Sequence, residues 1–129
     1  MTLLISSILF AIAMIIVTKV PVAIAMRKQF GHYDNKEPRY QEYALTGFGR
    51  RAMSAHENSI EALPIFAIGA VIASIHSPDS SLVLWSCITF VCARVLYVVF
   101  YLANLDKLRS IVWALGFIAS VVLITTGLP

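Results

Sequence analysis

Charge is what this chain has least of. Asp, Glu, Lys and Arg make up 13% of its 129 residues, while apolar residues make up 59%. Soluble domains carry about 25% charged and roughly 45–50% apolar residues. This balance argues against a soluble globule, and it excludes disorder, which needs low hydrophobicity and high charge. The net charge is +3 with no basic stripe, so nucleic acid is not an expected partner. Cysteine is almost missing. Cys87 and Cys92 lie five positions apart in an apolar run, so on one helix they point in different directions and cannot pair. No Cys-x-x-Cys spacing signals a metal, and both thiols read as buried and inert. Internal repeats and low-complexity segments are also absent. The length permits one domain, 1–129.

What the chain does have is long apolar runs. A spanning helix needs about 20 mostly apolar residues. Four stretches qualify, at approximately 3–28, 50–75, 80–103 and 108–128. The first lacks a basic start and a small-residue cleavage site, so it reads as a retained span rather than a signal peptide. Short connections at 76–80 and 104–109 make antiparallel neighbours, which gives an all-α integral membrane protein built as a four-helix bundle. The one long loop, 29–49, is broken by Gly31, Pro38, Gly47 and Gly49. Arg27, Lys28, Lys36, Arg39, Arg50 and Arg51 lie in or beside it, and Lys107 and Arg109 lie in the last turn. The positive-inside rule puts these two connections in the cytoplasm and both termini opposite. Asp34, Glu37 and Glu42 mix acid into the long loop, so it reads as a mixed-charge surface rather than a polybasic lipid binder.

Three polar constellations interrupt the apolar runs. Arg51, Asn58 and Glu61 fall at i, i+7 and i+10, one helical face, with Ser54 between them and Pro64 just beyond. Arg94, Tyr97 and Tyr101 fall at i, i+3 and i+7, again one face. Arg109 and Ser110 open the last run. Ionisable groups at membrane depth are costly and usually face a bundle interior or a wet cavity. Arg94 needs an anionic partner, and Glu61 on the neighbouring helix is the expected one. A structural Arg94–Glu61 pair and a ligand pocket both account for the pattern. The pocket would hold a small molecule with carboxylates and an amine, because guanidinium forks clamp carboxylates and Glu61 accepts an ammonium. Arg109 alone reads as a positive-inside anchor, the tyrosines alone as an aromatic belt, and Trp85 and Trp113 as interface anchors. Lys19 reads as a snorkelling side chain with no assigned role.

The order Arg-x(6)-Asn-x-x-Glu-x-x-Pro, then Ala-Arg-x-x-Tyr-x-x-x-Tyr, then Arg-Ser before a last span, resembles the MAPEG family. These are the membrane-associated proteins in eicosanoid and glutathione metabolism, including the microsomal glutathione transferases. The His56-x-Asn58-x-x-Glu61 run is similar to bacterial members, which implies a bacterial inner membrane with periplasmic termini. The resemblance implies a homotrimer that holds glutathione as co-substrate between subunits. It implies that Arg27, Arg51, Asn58, Glu61, Arg94, Tyr97 and Tyr101 bind or frame glutathione, and that Arg109 is the catalytic residue stabilising its thiolate. The second substrate is then a hydrophobic electrophile entering from lipid, for transfer or peroxidase chemistry. One position departs from the family: the arginine expected one turn before Asn58 is Ser54. That departure keeps open a non-catalytic member that binds a lipid or a thiol. A proton-coupled exporter would carry an acidic residue in its first span, and 3–26 contains neither Asp nor Glu.

Overall fold

The computed structural model describes residues 2–128. It consists of five helices: α1 (Thr2–Phe30), α2 (Pro38–Tyr43), α3 (Gly47–His76), α4 (Ser81–Leu102) and α5 (Asp106–Thr125). Four of them, α1, α3, α4 and α5, are long and apolar enough to cross a membrane. Their ends differ from the expected spans by up to three residues. Thus α1 and α3 run on into the basic loop, and α5 stops at Thr125, where the chain enters a turn. Pro21 and Pro64 lie within α1 and α3 without ending either helix.

The four spans form a ring α1–α3–α5–α4, with α3 and α4 also touching across its diagonal. Small residues set these approaches. A Cβ added to Gly69 of α3 would stand 2.7 Å from the Ser120 carbonyl oxygen and 2.9 Å from the Leu123 Cβ of α5. Without a hydrophobic drive between helices in lipid, such close packing supplies the association. At the centre Phe66 and Phe90 stack with ring centroids 3.7 Å apart, fully buried between α3 and α4. A second apolar cluster, Val22, Ala25, Met26, Leu45, Ala52 and Met53, closes the basic end between α1, the α2–α3 turn and α3. Buried hydroxyls satisfy themselves on their own helices: Ser59 donates to the Ala55 carbonyl and Ser120 to the Gly116 carbonyl, both at 2.9 Å. Many large apolar side chains face outward, Ile16, Ile75 and Trp85 among them, as a lipid-facing surface requires. Cys87 is buried, but Cys92 is exposed on the outer face of α4, which corrects the expectation of two buried thiols. Five positions along a helix turn a side chain by about 140°, so both could not face the core.

The turns are specified locally. Ser80 caps α4, its Oγ accepting from the Leu82 N–H at 3.2 Å. Asn104, at φ 62°, ends α4 in the left-handed conformation that Asn tolerates. The Leu105 N–H then returns to the Phe100 carbonyl at 2.8 Å, reversing the chain at once into α5. In the long loop Pro38 opens α2, its missing N–H costing nothing at a helix start. Asp34 accepts from the Lys36 and Glu37 N–H groups at 2.8 and 3.1 Å. These bonds, the Glu37 one foremost, hold its carboxyl below the ordinary value of 3.8.

Candidate functional site

The polar constellations converge at the basic end of the bundle. Arg94 projects inward from α4 and is 4% exposed. Its Nη1 donates to the Asn58 Oδ1 at 2.9 Å, and its Nη2 to the Ser59 Oγ at 3.4 Å. Its guanidinium also sits over the Tyr97 ring, 4.6 Å from the centroid. The Asn58 Nδ2 donates in turn to the Glu61 Oε2 at 3.2 Å. The expected direct Arg94–Glu61 ion pair is therefore not formed. Asn58 stands between them, one end of its amide accepting from a cation and the other donating to a carboxylate. Glu61 itself lies on the exposed side of α3.

The tyrosine face carries the network onward. Tyr97, nearly buried, meets Tyr101 edge to face with centroids 5.5 Å apart. The Arg109 guanidinium lies 4.2 Å from the Tyr101 centroid. The tight Asn104 turn produces that contact by bringing the first turn of α5 back beside the last turn of α4. A continuous path of contacts thus runs Arg109–Tyr101–Tyr97–Arg94–Asn58–Glu61.

Two hollows flank the path. One, about 110 Å³, lies between α3, α4 and α5, with Asn58, Glu61 and Arg94 at its polar end and Ala62, Ile65, Phe90, Gly116 and Phe117 on its apolar walls. The other, about 230 Å³, is bounded by Tyr97, Tyr101, Arg109 and Ser110. Trp113, stacked on Phe117, lines both, so it is more than the interface anchor its position suggested.

Among the described residues, Lys19–Glu42 is the one ion pair within 4.0 Å, so Arg94 is buried without a carboxylate and Arg109 also lacks one. Arg51 lies on the same face of α3 as Asn58, and its buried Nε has no partner among the described residues. Arg27 is exposed at the end of α1 and does not join this network within the chain. α1 packs on α3 and α4, and among the described residues its backbone does not come close to that of α5, which carries Arg109.

A second polar cluster, which no spacing in the sequence announces, lies between α1, α2 and α3. Lys19 is not a free snorkelling side chain but pairs with the buried carboxylate of Glu42. One turn of geometry away, the Thr18 Oγ1 donates to the Met14 carbonyl at 2.7 Å and lies 3.0 Å from the His56 Nδ1. Thr18 and His56 thus join α1 to α3 through a side-chain hydrogen bond. A lysine inside a span needs an anion, which was the available signal. Only folding shows that the anion comes from the loop.

A four-span integral membrane protein with a guanidinium-rich site at one end of its bundle is the class these features define. The chain belongs to the MAPEG family, whose model matches residues 3–128, essentially its whole length. At family level this is glutathione- and eicosanoid-related membrane chemistry. No curated protein and no solved structure matches the chain.

Proposed function

We propose that the protein is a homotrimeric, glutathione-dependent transferase whose site opens toward the cytoplasm, with both termini on the periplasmic side of a bacterial inner membrane. The observation that carries this reading is Arg94: a guanidinium buried in the bundle with an amide, a hydroxyl and an aromatic face around it, and no carboxylate. A buried charge without a counter-charge is costly, so such a site favours an anionic ligand. Glutathione brings two carboxylates, an ammonium and a thiol. Arg94 and Arg51 are suited to its carboxylates and Glu61 to its ammonium, with Asn58, Tyr97 and Tyr101 as hydrogen-bonding frame. Arg27 of the partner subunit would complete the clamp.

Exposure of Glu61 favours a cover over this face of α3. α3 has 30 residues, so it is about 45 Å long against a hydrocarbon core of roughly 30 Å. Glu61 lies about 21 Å along it, a few ångströms inside the apolar layer even if all the excess protrudes at this end. An ionised carboxylate facing lipid there is unfavourable, and a neighbouring subunit or ligand covering it removes the cost.

The chemistry is nucleophile activation. A free thiol has a pKa of about 8.5, and a nearby guanidinium favours its ionised form. Arg109 does not deprotonate, so it stabilises the thiolate while the proton leaves to water. The sulfur then attacks an electrophilic carbon of a hydrophobic second substrate, forming a carbon–sulfur bond as the leaving group departs with its bonding electron pair. The apolar hollow beside Glu61 and Trp113 offers that substrate a wall. Ser54 in place of an arginine favours a second reading, a non-catalytic trimer that holds a thiol or a lipid. Conjugation of glutathione to 1-chloro-2,4-dinitrobenzene by purified protein separates the two. A rate above background that falls in Arg109→Leu supports the transferase, and glutathione binding without any such rate supports the binder.

A further inference from the structure

The short helix α2 is built inside out. Its buried residues are the polar Gln41 and Glu42, and its outward face is Arg39, Tyr40 and Tyr43, with the two tyrosines 77% and 65% exposed. The inward polar groups are fully used. Gln41 donates to the His32 carbonyl at 2.9 Å and accepts from the Asp34 N–H at 3.0 Å, while Glu42 pairs with Lys19 of α1. An aromatic outward face held in place by buried polar contacts is not designed for bulk water.

Depth fixes what lies opposite. α1 has 29 residues and is about 43 Å long, so about 13 Å of it extends beyond a hydrocarbon core of roughly 30 Å. The basic pair Arg27 and Lys28 places that excess at its C-terminal end. Leu45, just after α2, packs with Val22, Ala25 and Met26, the turns of α1 at this boundary. Tyr40 and Tyr43 therefore lie at headgroup level, where amphipathic aromatic rings are favoured. Folding also sorts the charges of this mixed-charge loop. Glu42 is neutralised inside and Asp34 is turned onto backbone N–H groups. Lys28, Lys36 and Arg39 stay exposed with no carboxylate within 4.0 Å among the described residues, against Asp34 and Glu37 as the loop's remaining unpaired acids.

We propose that α2 and its flanking turn form an interfacial foot that selects anionic phospholipid headgroups. Lys36 and Arg39 contact the phosphates, and Tyr40 and Tyr43 rest at the glycerol level. The test uses the full chain in nanodiscs, with Cys92→Ser removing the exposed thiol and an environment-sensitive fluorophore attached through Tyr40→Cys. Nitroxide groups near the headgroup end of phosphatidylglycerol should quench it several-fold more than the same groups on phosphatidylcholine. A cation near an anionic surface is worth roughly a fivefold preference, so Lys36→Gln with Arg39→Gln should bring the ratio close to one. Equal quenching by both lipids in the parent, or an unchanged ratio in the double variant, overturns the proposal. Stronger quenching by aqueous iodide than by either lipid overturns it too. Quenching by none of the three means that a second copy of the chain covers α2, and that also overturns it.

Discussion

Arg94 of α4 and Asn58 of α3 meet at 2.9 Å, and Asn58, not Arg94, holds Glu61. The amide therefore couples a buried cation to an exposed carboxylate across a helix interface. In a double-mutant cycle, Asn58→Ala and Arg94→Leu should be coupled by about 1–2 kcal/mol, the range for a hydrogen bond to a charged group weakened by competition within the membrane. Glu61→Gln and Arg94→Leu should show a smaller coupling of the same sign, because the two act on each other only through their shared partner Asn58. Thermal unfolding in one detergent measures both.

Lys19 and Glu42 tie the loop helix to the first span. Removing one partner leaves a charge in a place built for two. Lys19→Met, which strands the buried Glu42 carboxylate, should cost about 2–4 kcal/mol, since the lysine is partly exposed and the full cost of breaking a buried pair is about 3–5 kcal/mol. Lys19→Met with Glu42→Gln should cost less than Lys19→Met alone. The same unfolding assay checks this, and a double variant less stable than that single would count against a working ion pair.

Gly69 marks a close approach between α3 and α5. Gly69→Ala forces a methyl against the Ser120 carbonyl oxygen and should destabilise by about 1–3 kcal/mol, the usual cost of overpacking. Gly116→Ala should be tolerated better, because its new Cβ would meet only the Ala93 Cβ at 3.3 Å. Comparing the two melting curves tests the contact directly.

Asp34 gives a pH signature. Its folded carboxyl titrates below the ordinary 3.8 because the Glu37 and Lys36 N–H groups favour its charged form. A depressed folded pKa contributes order to the loop above the ordinary value, and that contribution is lost as pH falls through the folded one. The amide resonances of Lys36 and Glu37 should titrate together with a midpoint below 3.8, and Asp34→Ala should abolish the transition.

Hydropathy made the four spans legible, since each is a long apolar run bounded by polar turns, and 3.6-residue spacing placed Asn58 with Glu61 and Arg94 with Tyr97 and Tyr101. The partner of Arg94 was not legible. Asn58 and Glu61 sit on the same face, and which of them reaches α4 depends on the rotation of α3 about its axis. That rotation is set by packing such as Phe66 on Phe90. Arg109 looked like a plain anchor because its contact with Tyr101 depends on one left-handed residue, Asn104. The Lys19–Glu42 pair joins residues 23 apart through a loop whose fold no periodicity announces.

Calorimetric titration of the purified protein with glutathione, beside the same titration of Arg94→Leu, decides whether the buried guanidinium holds this ligand. Binding should be saturable at millimolar affinity or tighter and weakened at least tenfold by Arg94→Leu, the loss expected for a charge-assisted hydrogen bond to a carboxylate. Absence of binding up to a concentration on the order of 10 mM, which bounds the interaction at under about 3 kcal/mol, or equal affinity in the variant, would contradict that role of Arg94.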